Sequence, residues 1–256
     1  MLICCWSPKG GTGTTVVAAG VACLRSESKP TLLVDLGGDM SLLFQSETSP
    51  PAVGLDDWLA CAEPPPPDAL ARLEHPVSGG VISLLTTVAS RQRVRDTDAP
   101  RSPDRRRDRS VVPGADSPAA RVSGRHLESR TAELVDILAS ESRDVVVDAG
   151  PAARAGDSAL SQLWSALQPR ADLVLLVVRP CVIALRRALD SAVESTGVVV
   201  VRDEGRSLDS RDVAEVLGLP VLAEIPVDPS IAVAVDAGLF SSRPPRKLLR
   251  ALRSLS

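Results

Sequence analysis

The chain has 256 residues, 44% of them hydrophobic and 24% charged, with a formal net charge of −3. That length and apolar content are enough to bury the core of one large α/β domain, and the slight negative balance provides no global attraction to nucleic acid or anionic lipid, so partners must be sought in local sites. Five cysteines (Cys4, Cys5, Cys23, Cys61, Cys181) show neither a Cys-x-x-Cys pair nor metal-ligand spacing, which argues against a disulfide framework and reads as small core residues in a reducing compartment.

No apolar run approaches the ~20 residues of a membrane-spanning helix, and Lys9 follows the N-terminus too soon for a secretory signal, so a cytoplasmic location is expected. In chain order, short apolar runs at 2–6, 31–35, 81–85, 144–148, 172–178, 197–201 and 221–225 read as buried parallel strands. Between most of them lie helical spacings at 14–26, 54–61, 131–140, 158–167, 183–193 and 210–217. This alternation predicts a doubly wound α/β fold, a mostly parallel sheet of about seven strands with helices on both faces. One stretch breaks the pattern. From 91 to 125 periodicity vanishes, and eight arginines between Arg91 and Arg109 mix with aspartate, proline, serine and glycine, so a disordered insertion is expected between two parts of one domain, 1–90 and 126–256. Four interspersed aspartates and the lack of aromatics for stacking favour a solvated linker there over a nucleic-acid contact. The proline run at 64–67 reads as a stiff surface connection.

Chemistry concentrates after the first strand, in Ser7-Pro8-Lys9-Gly10-Gly11-Thr12-Gly13-Thr14-Thr15, which runs directly into the apolar helix Val16-Val17-Ala18-Ala19. Glycines between a strand and a helix N-terminus let successive N–H groups converge on one point, and the helix dipole adds positive potential, so the segment is a candidate phosphate cradle. It resembles the deviant Walker A loop, KGGxGKT, of the ParA/MinD class of P-loop ATPases. The resemblance assigns Lys9 to the early lysine that crosses a dimer to the partner's nucleotide, Gly10, Gly11 and Gly13 to the glycines, and Thr15 to the hydroxyl that ligates Mg²⁺. Thr14 stands where that pattern has the lysine that meets the β- and γ-phosphates. A lost ionic contact of that kind is worth ~4 kcal/mol at an effective dielectric near 20, about a thousandfold in affinity.

The resemblance extends along most of the chain, over 1–60 and 130–240. Asp35-Leu36-Gly37-Gly38-Asp39 is similar to the family's first switch, D-x-D, with glycine at the second acidic place and Asp39 two residues further on as a displaced candidate for orienting water. Asp144-Val145-Val146-Val147-Asp148-Ala149-Gly150-Pro151 resembles the Walker B strand and second switch, which implies that Asp148 holds Mg²⁺ through water. The run from Gly218 to Asp228, GLPVLAEIPVD, resembles the family's closing strand, and where members often carry an asparagine that reads adenine the chain has Val201 and Arg202. The implied cofactors are ATP and Mg²⁺, the nucleotide bound by Lys9, Gly10, Gly11, Thr12, Gly13, Thr14 and Thr15. The implied behaviour is a nucleotide-dependent homodimer that engages a protein of a partition, division or secretion system, with hydrolysis slow or lost.

Two alternatives stay open at this level. Gly11-Thr12-Gly13-Thr14-Thr15-Val16 is near the dinucleotide fingerprint GxGxxG, and Asp35 at the end of the second strand would then hold a ribose, although Val16 replaces the third glycine. The basic, amphipathic C-terminal segment 246–255, with Leu248, Leu249, Leu252 and Leu255 on one face, either caps the core or docks peripherally on the inner face of a membrane.

Overall fold

The apolar runs become strands β1 (Leu2–Ser7), β2 (Thr31–Asp35), β3 (His75–Val77), β4 (Ile82–Thr86), β5 (Asp144–Pro151), β6 (Leu173–Val178), β7 (Gly197–Arg202) and β8 (Val221–Pro226). They pair into one sheet in the order β3-β4-β2-β5-β1-β6-β7-β8. The computed structural model describes residues 1–44, 53–61, 63–87, 118–151 and 159–255, with no side-chain description for 118–123 and 125. All neighbouring strands are parallel except β3 with β4. Seven strands coincide with the expected runs to within a few residues. The eighth, β3, is three residues long and contains Pro76, so no apolar run announces it; it lies at the sheet edge, where proline is tolerated.

Strand alternation splits the core into two layers. Leu2, Cys4, Trp6, Leu32, Val34, Val145 and Val147 face one side, while Ile3, Cys5, Leu33 and Val146 face the other. The first layer is covered by α3 (Leu55–Ala60), α4 (Pro118–Ser140), α5 (Ala159–Leu167), α6 (Val182–Leu189) and α7 (Ser210–Leu217), through residues such as Trp58, Leu134, Leu163, Leu185 and Val213. The second is covered by α1 (Thr14–Ser26), α2 (Met40–Phe44) and α9 (Arg246–Leu252), through Val17, Leu43 and Leu248, with α8 (Pro229–Asp236) at its margin. Helix α4 begins at Pro118, inside the stretch 91–125 expected to be disordered and well before the periodic segment starting at 131. Its first half, PAARVSGRHLESR, has no apolar stripe to register as helix, whereas proline suits a first helical turn. The remainder of that expected insertion lies outside the described residues.

Burial pushes the Cys4 and Cys23 thiols up to about 12, consistent with inert core packing. For Cys23 burial is the larger cause, and the neighbouring Glu27 carboxylate adds to it. Cys61 and Cys181 depart from the expected core role: both are only half-buried, and the Cys181 sulfur accepts from the Ala184 N–H as the cap of α6.

The C-terminal segment packs inward. Leu248 and Leu252 are fully buried, Leu255 is buried, and the Ser254 hydroxyl donates to the Leu222 carbonyl at 2.6 Å. Gly20 of α1 makes room for them, since a Cβ there would stand 2.7 Å from Leu252 Cδ1 and 3.1 Å from Leu248 Cδ2. Of the two readings of this tail, core capping is the one the packing takes, and these three leucines are not presented to a bilayer. Among the described residues no helix is long and apolar enough to cross a membrane.

Alanine normally stabilises a helix interior by about 1 kcal/mol relative to glycine. Gly20→Ala is expected to destabilise instead, because the new methyl meets both leucines. In a Leu252→Ala background, itself costing about 2–5 kcal/mol, the shorter contact is gone and the penalty of Gly20→Ala is expected to fall sharply. Urea unfolding of the four proteins of this cycle measures the coupling.

Candidate phosphate cleft

The end of β1 sets the geometry. The register against β5 shifts between Cys5 and Ser7, and Ser7 comes to lie opposite Pro151. The buried Ser7 hydroxyl donates to the Lys9 carbonyl at 2.9 Å, with the Gly150 carbonyl 3.4 Å away, so the loop after β1 is tied to the loop after β5. Gly11 (φ 76°) and Gly13 (φ 92°) are left-handed. Nothing lies within 4 Å of a Cβ at either, so the need for glycine is conformational. Helix α1 follows with no side-chain cap and no acidic residue in its first turn, which leaves its leading N–H groups available to an anion.

Thr12 and Thr14 do not point apart. Both are buried, and their hydroxyls lie 3.0 Å from each other. Position 14, where the resemblance expects a phosphate-binding lysine, is therefore part of a closed, neutral pair.

Two carboxylates meet at the carboxyl ends of neighbouring strands, with Asp35 of β2 in register with Asp148 of β5, both fully buried. Asp35 accepts from the Gly38 N–H at 2.6 Å and the Met40 N–H at 3.1 Å, which fixes the loop into α2. Asp148 Oδ1 accepts from the Gly150 N–H at 2.9 Å. Its Oδ2 is buried without a hydrogen-bond partner; Thr15 lies close enough to favour the ionised carboxylate but completes no hydrogen bond to that oxygen. Burial raises the pKa of both carboxyls. For Asp35 the nearby Asp148 charge adds to the rise, against the two backbone donors; for Asp148, Thr15 and the Gly150 N–H oppose it, and the Asp39 charge adds to it.

Gly37 closes the site from the side. Its N–H and that of Leu36 both donate to the Asp148 carbonyl, and a Cβ at 37 would stand 3.2 Å from Asp148 Oδ2 and 3.5 Å from Gly150 Cα. The cleft these loops enclose measures about 490 Å³ and is lined by residues 10–16, by Gly37 and Asp39, and by Leu42, Gly150, Val235 and Asp236 among others.

A family model described as the CobQ/CobB/MinD/ParA nucleotide binding domain matches residues 3–240. The chain belongs to that family. No curated protein matches it. Among solved structures, a ParA family ATPase from Chlorobium tepidum is similar with a TM-score of 0.66 at 17% identity, covering 100% of this chain and 97% of that one. The septum site-determining protein MinD from Pyrococcus horikoshii, complexed with Mg-ADP, gives 0.63 at 20% identity, covering 99% and 93%. A variant of McdA from Cyanothece, in complex with ATP, gives 0.61 at 15%, covering 99% and 95%. At these identities the likeness is one of fold, the P-loop NTPase architecture expected from the sequence.

Within this ParA/MinD-type fold, the glycine loop and Thr15 line one cleft, and Asp148 lies fully buried beside Thr15, behind the wall that Gly37 and Gly150 give it. Asp39 is exposed on the same cleft. Lys9 is half-buried and does not line this cleft. The dinucleotide alternative fails on Asp35, whose two oxygens are used on backbone donors in a fully buried position, out of reach of a ribose. Arg202 pairs with Glu224 at 3.0 Å. Two contributors lie in segments singled out from the sequence but were expected to play no part in the site, Ser7 as a tie between loops and Asp236 as part of the wall; the close contact of Gly150 with Gly37 is hinted at only by the two glycines themselves.

Because both buried carboxyls titrate above their unfolded values, the folded state holds protons more tightly between about pH 4 and neutrality, and stability falls as pH rises through that window. Asp148→Asn is expected to raise stability at pH 8 by on the order of 1 kcal/mol and to lose that advantage near pH 4. Thermal unfolding of both proteins across pH measures it.

Proposed function

We propose that this chain is a ParA/MinD-like nucleotide-binding protein that acts as a switch or scaffold in bacterial spatial organisation, with little or no hydrolysis. The observation that carries the reading is the pairing of an intact glycine cradle with a disarmed centre: Thr12 and Thr14 close on each other, and Gly37 offers no carboxylate. The residues present fit a divalent cation, since Asp148 Oδ2 is buried without a donor and Thr15 lies beside that carboxylate. Thr15, and Asp148 through water, would hold Mg²⁺, which when bound supplies positive charge to the phosphates and to the buried carboxylate pair.

The backbone of residues 10–15 would orient the phosphate chain, and Lys9, which does not line its own cleft, would meet the nucleotide of a second protomer. Asp39 is the remaining candidate for orienting water, but it is exposed and separated from the glycine at 37 by one residue of loop. A similar fold occurs in the solved MinC:MinD cell division complex of Aquifex aeolicus, which supports a protein partner of that general kind for this chain.

Calorimetric titration with nucleotide is expected to show binding that depends on Mg²⁺ and weakens by about tenfold or more in Asp148→Ala. Turnover is expected at or below about one per second, the low end of the enzyme range; faster hydrolysis that disappears in Lys9→Ala would contradict the proposed role.

A further inference from the structure

Helix α6 carries an exposed face that the rest of the described chain does not cover. Ala184 and Leu185 turn inward and are buried, while Val182, Ile183 and Leu189 are 66%, 61% and 57% exposed. Single exposed apolar residues are ordinary on a protein surface, but three on one short helix make a patch. By helical spacing Val182, Arg186 and Leu189 follow one stripe and Ile183 and Arg187 the next, so the two arginines sit among the apolar side chains. Both are exposed, and among the described residues neither forms an ion pair, not even with Asp190 one turn beyond Arg186. Helix α7 packs beside α6 and adds the exposed Val216. None of these residues lines the phosphate cleft.

We propose that the exposed face of α6 docks an acidic amphipathic helix of a partner protein, whose apolar side chains meet Val182, Ile183 and Leu189 and whose carboxylates pair with Arg186 and Arg187. This gives the scaffold reading above, on which it rests, a partner of stated chemistry. A second α6 fits poorly, since it would set arginine against arginine, and three side chains present far less than the ~800 Å² per partner of a stable protein interface. A bilayer calls for an apolar face clear of charge, whereas here the arginines interrupt it and the helix has no aromatic anchor. Nucleic-acid phosphates would pair with the arginines and leave the apolar side chains uncovered. A short acidic helix matches both the size and the charge of the patch.

Fluorescence anisotropy of labelled peptides on the full chain, without nucleotide, tests this. The probe is a designed amphipathic peptide of about 18 residues, long enough to be helical, with leucine on one face and glutamate flanking it; a second peptide has lysine for every glutamate. The glutamate peptide is expected to bind with a Kd on the order of 10–100 μM, and the lysine peptide at least about tenfold more weakly. Ile183→Ser, and Arg186→Glu combined with Arg187→Glu, are each expected to weaken the glutamate peptide by about tenfold. Arg246→Glu combined with Arg250→Glu, on the basic α9, is expected to leave it unchanged. All these positions are exposed, so each variant is expected to keep the wild-type circular dichroism spectrum. Equal binding of both peptides, binding of neither at millimolar concentration, or a loss confined to the α9 variant overturns the proposal. So does a dimer in analytical ultracentrifugation that Ile183→Ser dissociates, which assigns the face to a second copy, or pelleting with phosphatidylglycerol vesicles that the α6 variants abolish. Because no nucleotide is present, failure here leaves nucleotide binding at the cleft standing, and failure of nucleotide binding in calorimetry leaves this proposal standing.

Discussion

Asp35 and Asp148 sit side by side at the carboxyl ends of β2 and β5, each fully withdrawn from water. An ionised carboxylate in such a place is costly unless donors or a cation answer it. Asp35 is answered locally by the N–H groups of Gly38 and Met40, which is why the chain turns sharply after β2 and starts α2 at once. Asp148 is answered only on one oxygen. The half-satisfied carboxylate leaves one buried oxygen without a donor behind the cleft, and the fully satisfied one fixes the loop that walls it.

That wall is held by backbone contacts that leave little space for side chains. Leu36 and Gly37 donate to the Asp148 carbonyl, and a Cβ on Gly150 would approach Gly37 Cα to 3.1 Å. Ser7 joins the same assembly from the β1 side. The loops after β1, β2 and β5 therefore behave as one unit, and a displacement of any one of them is felt by the other two. In this setting the absence of an acid at 37 has a steric side as well as a chemical one, because a longer residue there must first move Asp148 or Gly150.

Much of this was legible in the chain. Seven strands appear as apolar runs because buried parallel strands need apolar side chains on both faces, and the glycine loop is visible because left-handed turns at Gly11 and Gly13 demand it. The edge strand His75–Val77 was not legible, being too short and too polar to carry a period. Nor was the start of α4, where the segment PAARVSGRHLESR, without an apolar stripe, forms helix by continuation from a buried half. At the cleft, residue types announced the cradle, but the closure of Thr12 on Thr14 and the bare Oδ2 of Asp148 depend on side-chain placement that spacing does not encode.

The basic residues of the chain sharpen the meaning of Thr14. Only three of the 29 are lysines, so a bias of this kind replaces lysine with arginine and keeps the charge. At position 14 the charge itself is gone, and the replacement is a buried hydroxyl matched to a neighbour. Lys9, in contrast, remains one of those three lysines. The Thr12–Thr14 contact gives each of the two buried hydroxyls a partner at the point where the resemblance expects a cation. In the function proposed above, a cradle closed in this way without the lysine is what would let binding outlast turnover.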